Sequence, residues 1–216
     1  MKKNKDIFVV PPAWDTIGIT LGQTILKTTV PLEIFNIINS IFETQFDTLP
    51  DASPILAGKI TTEKSLFYNG EQHEKVGGRH NFLPQIVIEY FRRVVEIYLR
   101  WNKITVISTD LTSVWVNEMK ENEYNPIHVH RGNIYSGLSS VMALKLPNNY
   151  GEEANNKNEP INGELELLGN SSGCFSMVDY SPFLKERDFI LFPYDIRHTV
   201  YPFNGPGIRR TLAANM

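Results

Sequence analysis

Three of the chain's five histidines fall in a pattern that could hold a metal ion. His128 and His130 stand two residues apart in Pro126-Ile-His-Val-His130, and strand alternation would turn both rings to one face and Val129 to the other. Two such positions lie ~6–7 Å apart along a strand, close enough to ligate one ion. A third imidazole, His198, follows about seventy residues later in Pro193-Tyr-Asp-Ile-Arg-His198, and Arg209-Arg-Thr211 comes about a dozen residues beyond it. Three ligands on one side of an ion, with positions left open on the other, suit a mononuclear Fe(II) centre that must bind further reactants. Each ring also needs an acceptor for its second N–H, which fixes the ligating nitrogen.

The elements that must position these residues can be read along the chain. At 216 residues the sequence is long enough for one domain with a sizeable core. Pro31 sits where a helix can begin, and apolar residues at 34, 35, 37, 38, 41 and 42 keep a helical period to about Phe46. After Gly77-Gly78, residues Leu83 to Trp101 carry a wide apolar face from Ile86 through Val94 to Tyr98. Extended pieces are expected at 7–11, 17–21 and 24–30, with loop at 47–63. From residue 104 short apolar runs separated by turn residues predict strands at 104–108, 113–117, 127–129, 138–146, 164–168, 175–178, 188–192, 198–201 and 210–214. That spacing belongs to a sandwich or jelly roll. The fold class expected is therefore α+β, a double-stranded β-helix core with N-terminal packing helices, within a single domain 1–216. Residues 1–103 would be helical support and 104–216 the catalytic half.

Composition narrows the function classes. An apolar fraction of 42%, 21% charged residues and a net charge of −3 describe an ordinary globular chain without the basic footprint of a nucleic-acid binder. One cysteine, Cys174, excludes an internal disulfide and a cysteine-based zinc cage. No run approaches a membrane span, and Pro11, Pro12, Asp15 and Gly18 interrupt any signal-peptide core, so a cytoplasmic location is expected, a phage-infected host cell included. The sequence leaves the oligomeric state open.

The stretches Asn125-Pro-Ile-His-Val-His130, Tyr135 to Leu144, Gly163-Glu-Leu-Glu-Leu167, Asp188 to Phe203 and Arg209 to Asn215 resemble the Fe(II)/2-oxoglutarate-dependent oxygenases. The likeness is to small bacterial and phage members of that superfamily related to prolyl hydroxylases, and it covers about residues 113 to 216. It implies Fe(II) held by His128, His130 and His198, 2-oxoglutarate as co-substrate and O2 as oxidant. The reaction implied is hydroxylation of a prime substrate, with a peptidyl-proline or another protein side chain as first guess, coupled to loss of CO2 from the co-substrate. Arg209 and Thr211 match the arginine and hydroxyl residue that grip the distal carboxylate; a guanidinium fork suits a carboxylate bidentately. Tyr135 and Ser136 follow the metal pair closely enough to help bind the co-substrate. One departure stands out: His130 falls where most of the family has Asp or Glu. An imidazole there leaves the site one charge more positive and weakens its hold on Fe(II) unless a neighbouring acceptor compensates. Asp195 and Glu164 are the acidic alternatives.

Other residues take plainer readings. Arg210 should face away from Arg209 as a solvated charge, Trp115 should be core, and Asn117 a polar wall of the pocket. The Asn- and Glu-rich insert 147–163 suits a lid over the substrate entrance. His73 and His80 read as surface histidines, Gly169 to Gly173 as a turn without a phosphate-loop lysine, the Asn170 sequon as unused in a cytoplasmic chain, and Cys174 as buried structure. Two rival functions remain: a three-histidine cupin-like dioxygenase or isomerase, in which Arg209 would not enter the pocket, and a non-catalytic jelly-roll structural protein, marked by an exposed apolar face on 83–101.

Overall fold

A computed structural model of the chain describes residues 7–10, 16–20, 22–70, 77–130, 137–152, 161–169 and 177–216. Its core is two facing sheets. The larger is built in the order β1 (Ile7–Val10), β2 (Thr16–Thr20), β3 (Thr24–Thr29), β11 (Asp188–Pro193), β8 (Leu138–Lys145), β13 (Arg209–Asn215), β6 (Ser113–Met119), β4 (Thr62–Tyr68) and β5 (His80–Asn81). The smaller runs β10 (Asp179–Tyr180), β9 (Leu165–Leu168), β12 (Arg197–Val200) and β7 (Asn125–His128), and every pairing in both sheets is antiparallel. Sequence-distant strands alternate in the larger sheet, as a rolled-up double-stranded β-helix requires.

Alternation decides which residues meet. On β11, Phe189 and Leu191 face outward and Ile190 and Phe192 inward; on β6, Val114 and Val116 face outward while Trp115, Asn117 and Met119 turn in. The outward set joins the apolar sides of α1 (Leu32–Gln45) and α2 (Gln85–Trp101), where Phe189 meets the rings of Tyr90 and Phe91 at 5.9 and 6.0 Å. The inward set packs with Leu165, Leu167 and Val200 of the smaller sheet.

Both helices begin behind a proline, Pro31 and Pro84, rather than a hydroxyl or carboxylate cap. The end of α2 is tied to the sheet: Tyr98 Oη donates to the Thr24 carbonyl at 3.1 Å, and Thr24 Oγ1 donates to Asn102 Oδ1 at 2.6 Å. The six inward apolar residues of α2, from Val87 to Tyr98, are buried, so the mark expected of the structural-protein reading does not occur on this face.

Several expectations need correction. Residues 1–103 are not only helical support, because five strands of the larger sheet come from them. Within the stretch read as loop, β4 begins at Thr62. Residues 104–108 form no strand: the β-branched run is exposed, Ile107 fully so, with no sheet face to join. The strand expected at 175–178 lies half outside the described residues, and the short β10 follows it. His80 sits in β5 with both ring nitrogens bonded, to the Gly78 carbonyl and to Ser65 Oγ at 2.8 Å each, rather than in a surface loop. His73, Asn170 and Cys174 lie outside the described residues, as do 153–160 of the expected lid.

Candidate metal and co-substrate site

His128 ends β7 and is the direct cross-strand partner of His198 on β12. Their ring centroids are 4.1 Å apart. His130 lies past the strand end, where its backbone N–H donates to the Tyr194 carbonyl at 3.1 Å and clips the segment to the turn between β11 and β12. This brings the His130 ring to 5.0 Å from that of His198 and 5.3 Å from that of His128, with Trp115 and Tyr194 on its flanks at 6.0 and 6.1 Å. The three ligating atoms lie within 4.8 Å of one another. Neither Asp195 nor Glu164 belongs to the group; Asp195 instead accepts a hydrogen bond from Gln23 at the surface.

The rings could serve as ligands. A carbonyl can only accept, so Nδ1 of His128, 2.7 Å from the Pro126 carbonyl, and Nδ1 of His198, 3.0 Å from that of Ile196, both carry hydrogen. Each therefore keeps its Nε2 lone pair free. His130 Nε2 lies 3.1 Å from His198 Nε2, and Asn215 Nδ2 stands 3.3 Å from His130 Nδ1. Burial, reinforced by the neighbouring imidazoles, pushes the pKa of His198 down to about 3 and that of His130 to about 4. For His128 burial again lowers it, opposed by the bond to Pro126. Neutral imidazoles at ordinary pH need not release a proton to bind an ion. Three nitrogen donors with one side open fit Fe(II).

Beside the histidines, one cavity between the sheets is lined by Trp115, Asn117, Asn125, Arg209 and Thr211. Arg209 is 1% exposed, and its Nε and Nη2 have no hydrogen-bond partner. Burial draws its pKa down, while a hydrogen bond to Tyr150 opposes that shift. Tyr150 lies close because residue 163 is glycine: a Cβ there would stand 2.3 Å from the Tyr150 ring. The Oδ1 atoms of Asn117 and Asn125 are also buried without partners. A fully buried cation with unsatisfied donors is costly alone and becomes favourable when an anion enters. These residues fit a carboxylate.

Arg210 does turn the other way, but it is not solvated. It donates to Glu118 at 2.7 Å, pairs with Glu43 at 3.1 Å and lies over the Phe42 ring at 4.5 Å. Trp115 is buried against Ala52 and Ala213 yet also lines the cavity, and Asn117 lines it as a polar wall. Tyr135 and Ser136 lie outside the described residues. The sequence reading missed Tyr150, which lies within the 147–163 insert and meets Arg209 only in the fold, leaving no local pattern. It also missed a larger cavity of about 810 Å³ between α2, the 104–112 segment and Tyr194, with His130 in its wall.

Comparison with known proteins follows the same lines. Residues 113–215 match the model of a family described as "Putative 2OG-Fe(II) oxygenase". No curated protein matches the sequence. Among solved structures, a Pseudomonas putida prolyl-4-hydroxylase superposes with a TM-score of 0.57 at 11% identity, over 89% of this chain and 91% of that one. An oxidoreductase of the 2OG-Fe(II) oxygenase family from Burkholderia pseudomallei gives 0.57 at 11%, over 88% and 83%. A Trichoplax adhaerens prolyl hydroxylase, solved with a hypoxia inducible factor oxygen degradation domain peptide fragment, gives 0.54 at 13%, over 90% and 83%. At these identities the structures speak for the fold; the family match brings Fe(II), 2-oxoglutarate and O2 as its cofactor set. Among the described residues no helix is long and apolar enough to cross a membrane.

Proposed function

We propose that the chain, whose residues 113–215 match a 2OG-Fe(II) oxygenase family, is an Fe(II)- and 2-oxoglutarate-dependent hydroxylase whose metal ligands are His128, His130 and His198. The observation that carries the reading is Arg209, a buried guanidinium with two unsatisfied donor groups in the same cavity as the three rings. A three-histidine cupin-like enzyme without a dicarboxylate co-substrate would give that cation nothing to bind.

When bound, iron with 2-oxoglutarate and O2 supplies the oxidising chemistry of the family, decarboxylation of the co-substrate coupled to hydroxylation of a C–H bond. The protein's part is to bind, orient and exclude water. The carbonyls of Pro126 and Ile196 hold the Nδ1–H groups and so aim the Nε2 lone pairs of His128 and His198. Arg209 Nε and Nη2 offer a fork to the distal carboxylate, Tyr150 steadies the guanidinium, and the Thr211 hydroxyl stands on the same face of β13. A dicarboxylate also offsets the positive charge that a ligand set without an acid leaves on the site. The prime substrate proposed is a protein side chain such as a peptidyl proline, and the cavity beside His130 offers it room.

Anaerobic titration of the full chain with Fe(II) and then 2-oxoglutarate tests the reading through the weak visible charge-transfer band of the chelate. The parent should develop the band, and Arg209→Ala should need about 10–100-fold more 2-oxoglutarate, the worth of a charge-assisted fork. No band in the parent, or equal titrations for both proteins, would sink the proposal.

A further inference from the structure

A site built on three imidazoles and no carboxylate depends on what holds the second nitrogen of each ring. For His128 and His198 backbone carbonyls do this. His130 has no carbonyl there: its Nδ1 faces the side-chain amide of Asn215, the last residue of β13. The amide nitrogen lies 3.3 Å from Nδ1, and the amide oxygen is buried with no partner. The two ends of an amide are nearly isosteric, and which end is oxygen follows from the hydrogen-bond network. Turning the group by half a turn places Oδ1 against Nδ1, where it accepts a hydrogen bond, and moves the amide nitrogen to the position the orphaned oxygen held. The consequence for His130 is a change of tautomer. With the nitrogen facing it, Nδ1 must accept, so Nε2 carries the proton and donates it to His198 Nε2 at 3.1 Å, which closes the site with a hydrogen. With the oxygen facing it, Nδ1 carries the proton and three lone pairs converge.

We propose that Asn215 is the positioning residue for His130: its amide oxygen accepts the Nδ1–H, selects the ligating tautomer, and supplies the acceptor that a histidine in place of an acid requires. The inference rests on the metal-site reading above. Asn215 is placed for this by strand register, since it continues on β13 the inward row that contains Thr211 and Ala213. It touches the ligand and not the reacting atoms.

The test uses Co(II) as probe metal on the full chain, read by its visible d–d spectrum. Asn215→Ala should raise the Co(II) Kd about 10–100-fold, and Asn215→Asp, which keeps an acceptor, should bind at least as tightly as the parent. In the Co(II)-loaded parent, three exchangeable imidazole N–H resonances should appear in the shifted proton spectrum; in Asn215→Ala the one from His130 should be lost to exchange with water. The 2-oxoglutarate Kd at saturating Co(II) should stay within about twofold for Asn215→Ala. An unchanged Co(II) Kd in Asn215→Ala would overturn the inference, even if the metal-free protein melted lower, as would an equal loss in Asn215→Asp or a loss confined to 2-oxoglutarate. A parent that takes up no Co(II) would instead remove the metal-site reading itself.

Discussion

Arg209 and Arg210 are neighbours on one strand, both buried, and they live in opposite worlds. Arg210 reaches the helix side, where Glu118, Glu43 and the Phe42 ring answer its charge. Arg209 reaches the space between the sheets, where Tyr150 contacts it but two of its donor nitrogens stay unsatisfied. The same contrast separates the two faces of the larger sheet. The helix side is an apolar core that closes around its few charges, while the inner side collects polar groups with unsatisfied atoms: Oδ1 of Asn117 and Asn125, Nε and Nη2 of Arg209 and Oε1 of Glu63. A charge with partners holds the fold; a charge without them costs stability and is explained by a ligand.

Substitutions on the two faces should therefore part company. The largest effect is expected for His198→Ala, which removes one of the three proposed ligand donors. Iron-dependent turnover should fall by several orders of magnitude, while the metal-free protein should stay folded, with a melting temperature lowered only by the loss of one neutral buried ring that packs on Phe192. If this variant is unfolded by circular dichroism, His198 is part of the frame and the contrast fails at its centre.

Arg210→Met should act on the fold alone. Glu118 would be left buried without its partner at a cost of about 3 kcal/mol, a fall of roughly 10 °C in Tm, with the 2-oxoglutarate Kd unchanged. Arg209→Met should do the reverse. Co-substrate binding should weaken about 10–100-fold, yet the ligand-free protein should melt higher, since an unpaired buried cation is replaced by an apolar chain of similar length. Thermal melts of the pair with and without 2-oxoglutarate check both signs; a lower Tm for Arg209→Met would mean that its contact with Tyr150 outweighs the cost of the buried charge.

The legibility of the sequence divides along the same line. Strands whose outward residues enter the core announced themselves by short apolar runs, as Phe189 to Phe192 and Val114 to Val116 do, and the histidine spacing pointed to the triad, although His130 reaches it from beyond the end of β7, held by its N–H to the Tyr194 carbonyl and not by strand alternation. Strand β4 was hidden because Glu63 and Ser65 face inward and Lys64 covers Phe46, so its run Thr62-Glu-Lys-Ser lacks the usual pattern. Residues 104–108 misled in the opposite sense: β-branched side chains favour a strand only where a sheet receives them. Arg210 looked solvated because Glu118 and Glu43 lie far from it in the chain and meet it only through strand register and the docking of α1. Tyr150 and Asn215 act through contacts formed by folding, which no local pattern records.

The smallest predicted effect extends the comparison to a negative charge. Glu63 lies opposite Asn117 on the inner side, 5% exposed, with Oε1 unsatisfied. Burial first, then the nearby carboxylates Asp51 and Glu123, push its pKa from 4.5 up to about 7. Because the folded value lies above the unfolded one, the native state holds this proton more tightly. The stability it contributes is fully present below the unfolded pKa and is lost as the pH rises through the folded one. Between about pH 5 and about pH 6.5 the loss amounts to roughly 2 kcal/mol at ~1.36 kcal/mol per unit. The buried histidines slope the other way, since their lowered pKa values make the fold gain stability as pH rises. Glu63→Gln isolates the one from the other. Denaturant melts of both proteins should coincide below about pH 4.5, and the variant should be the more stable by about 2 kcal/mol or more above about pH 7. A difference that does not change with pH would mean that Glu63 keeps its charge inside the fold, and that a partner on the inner side answers it.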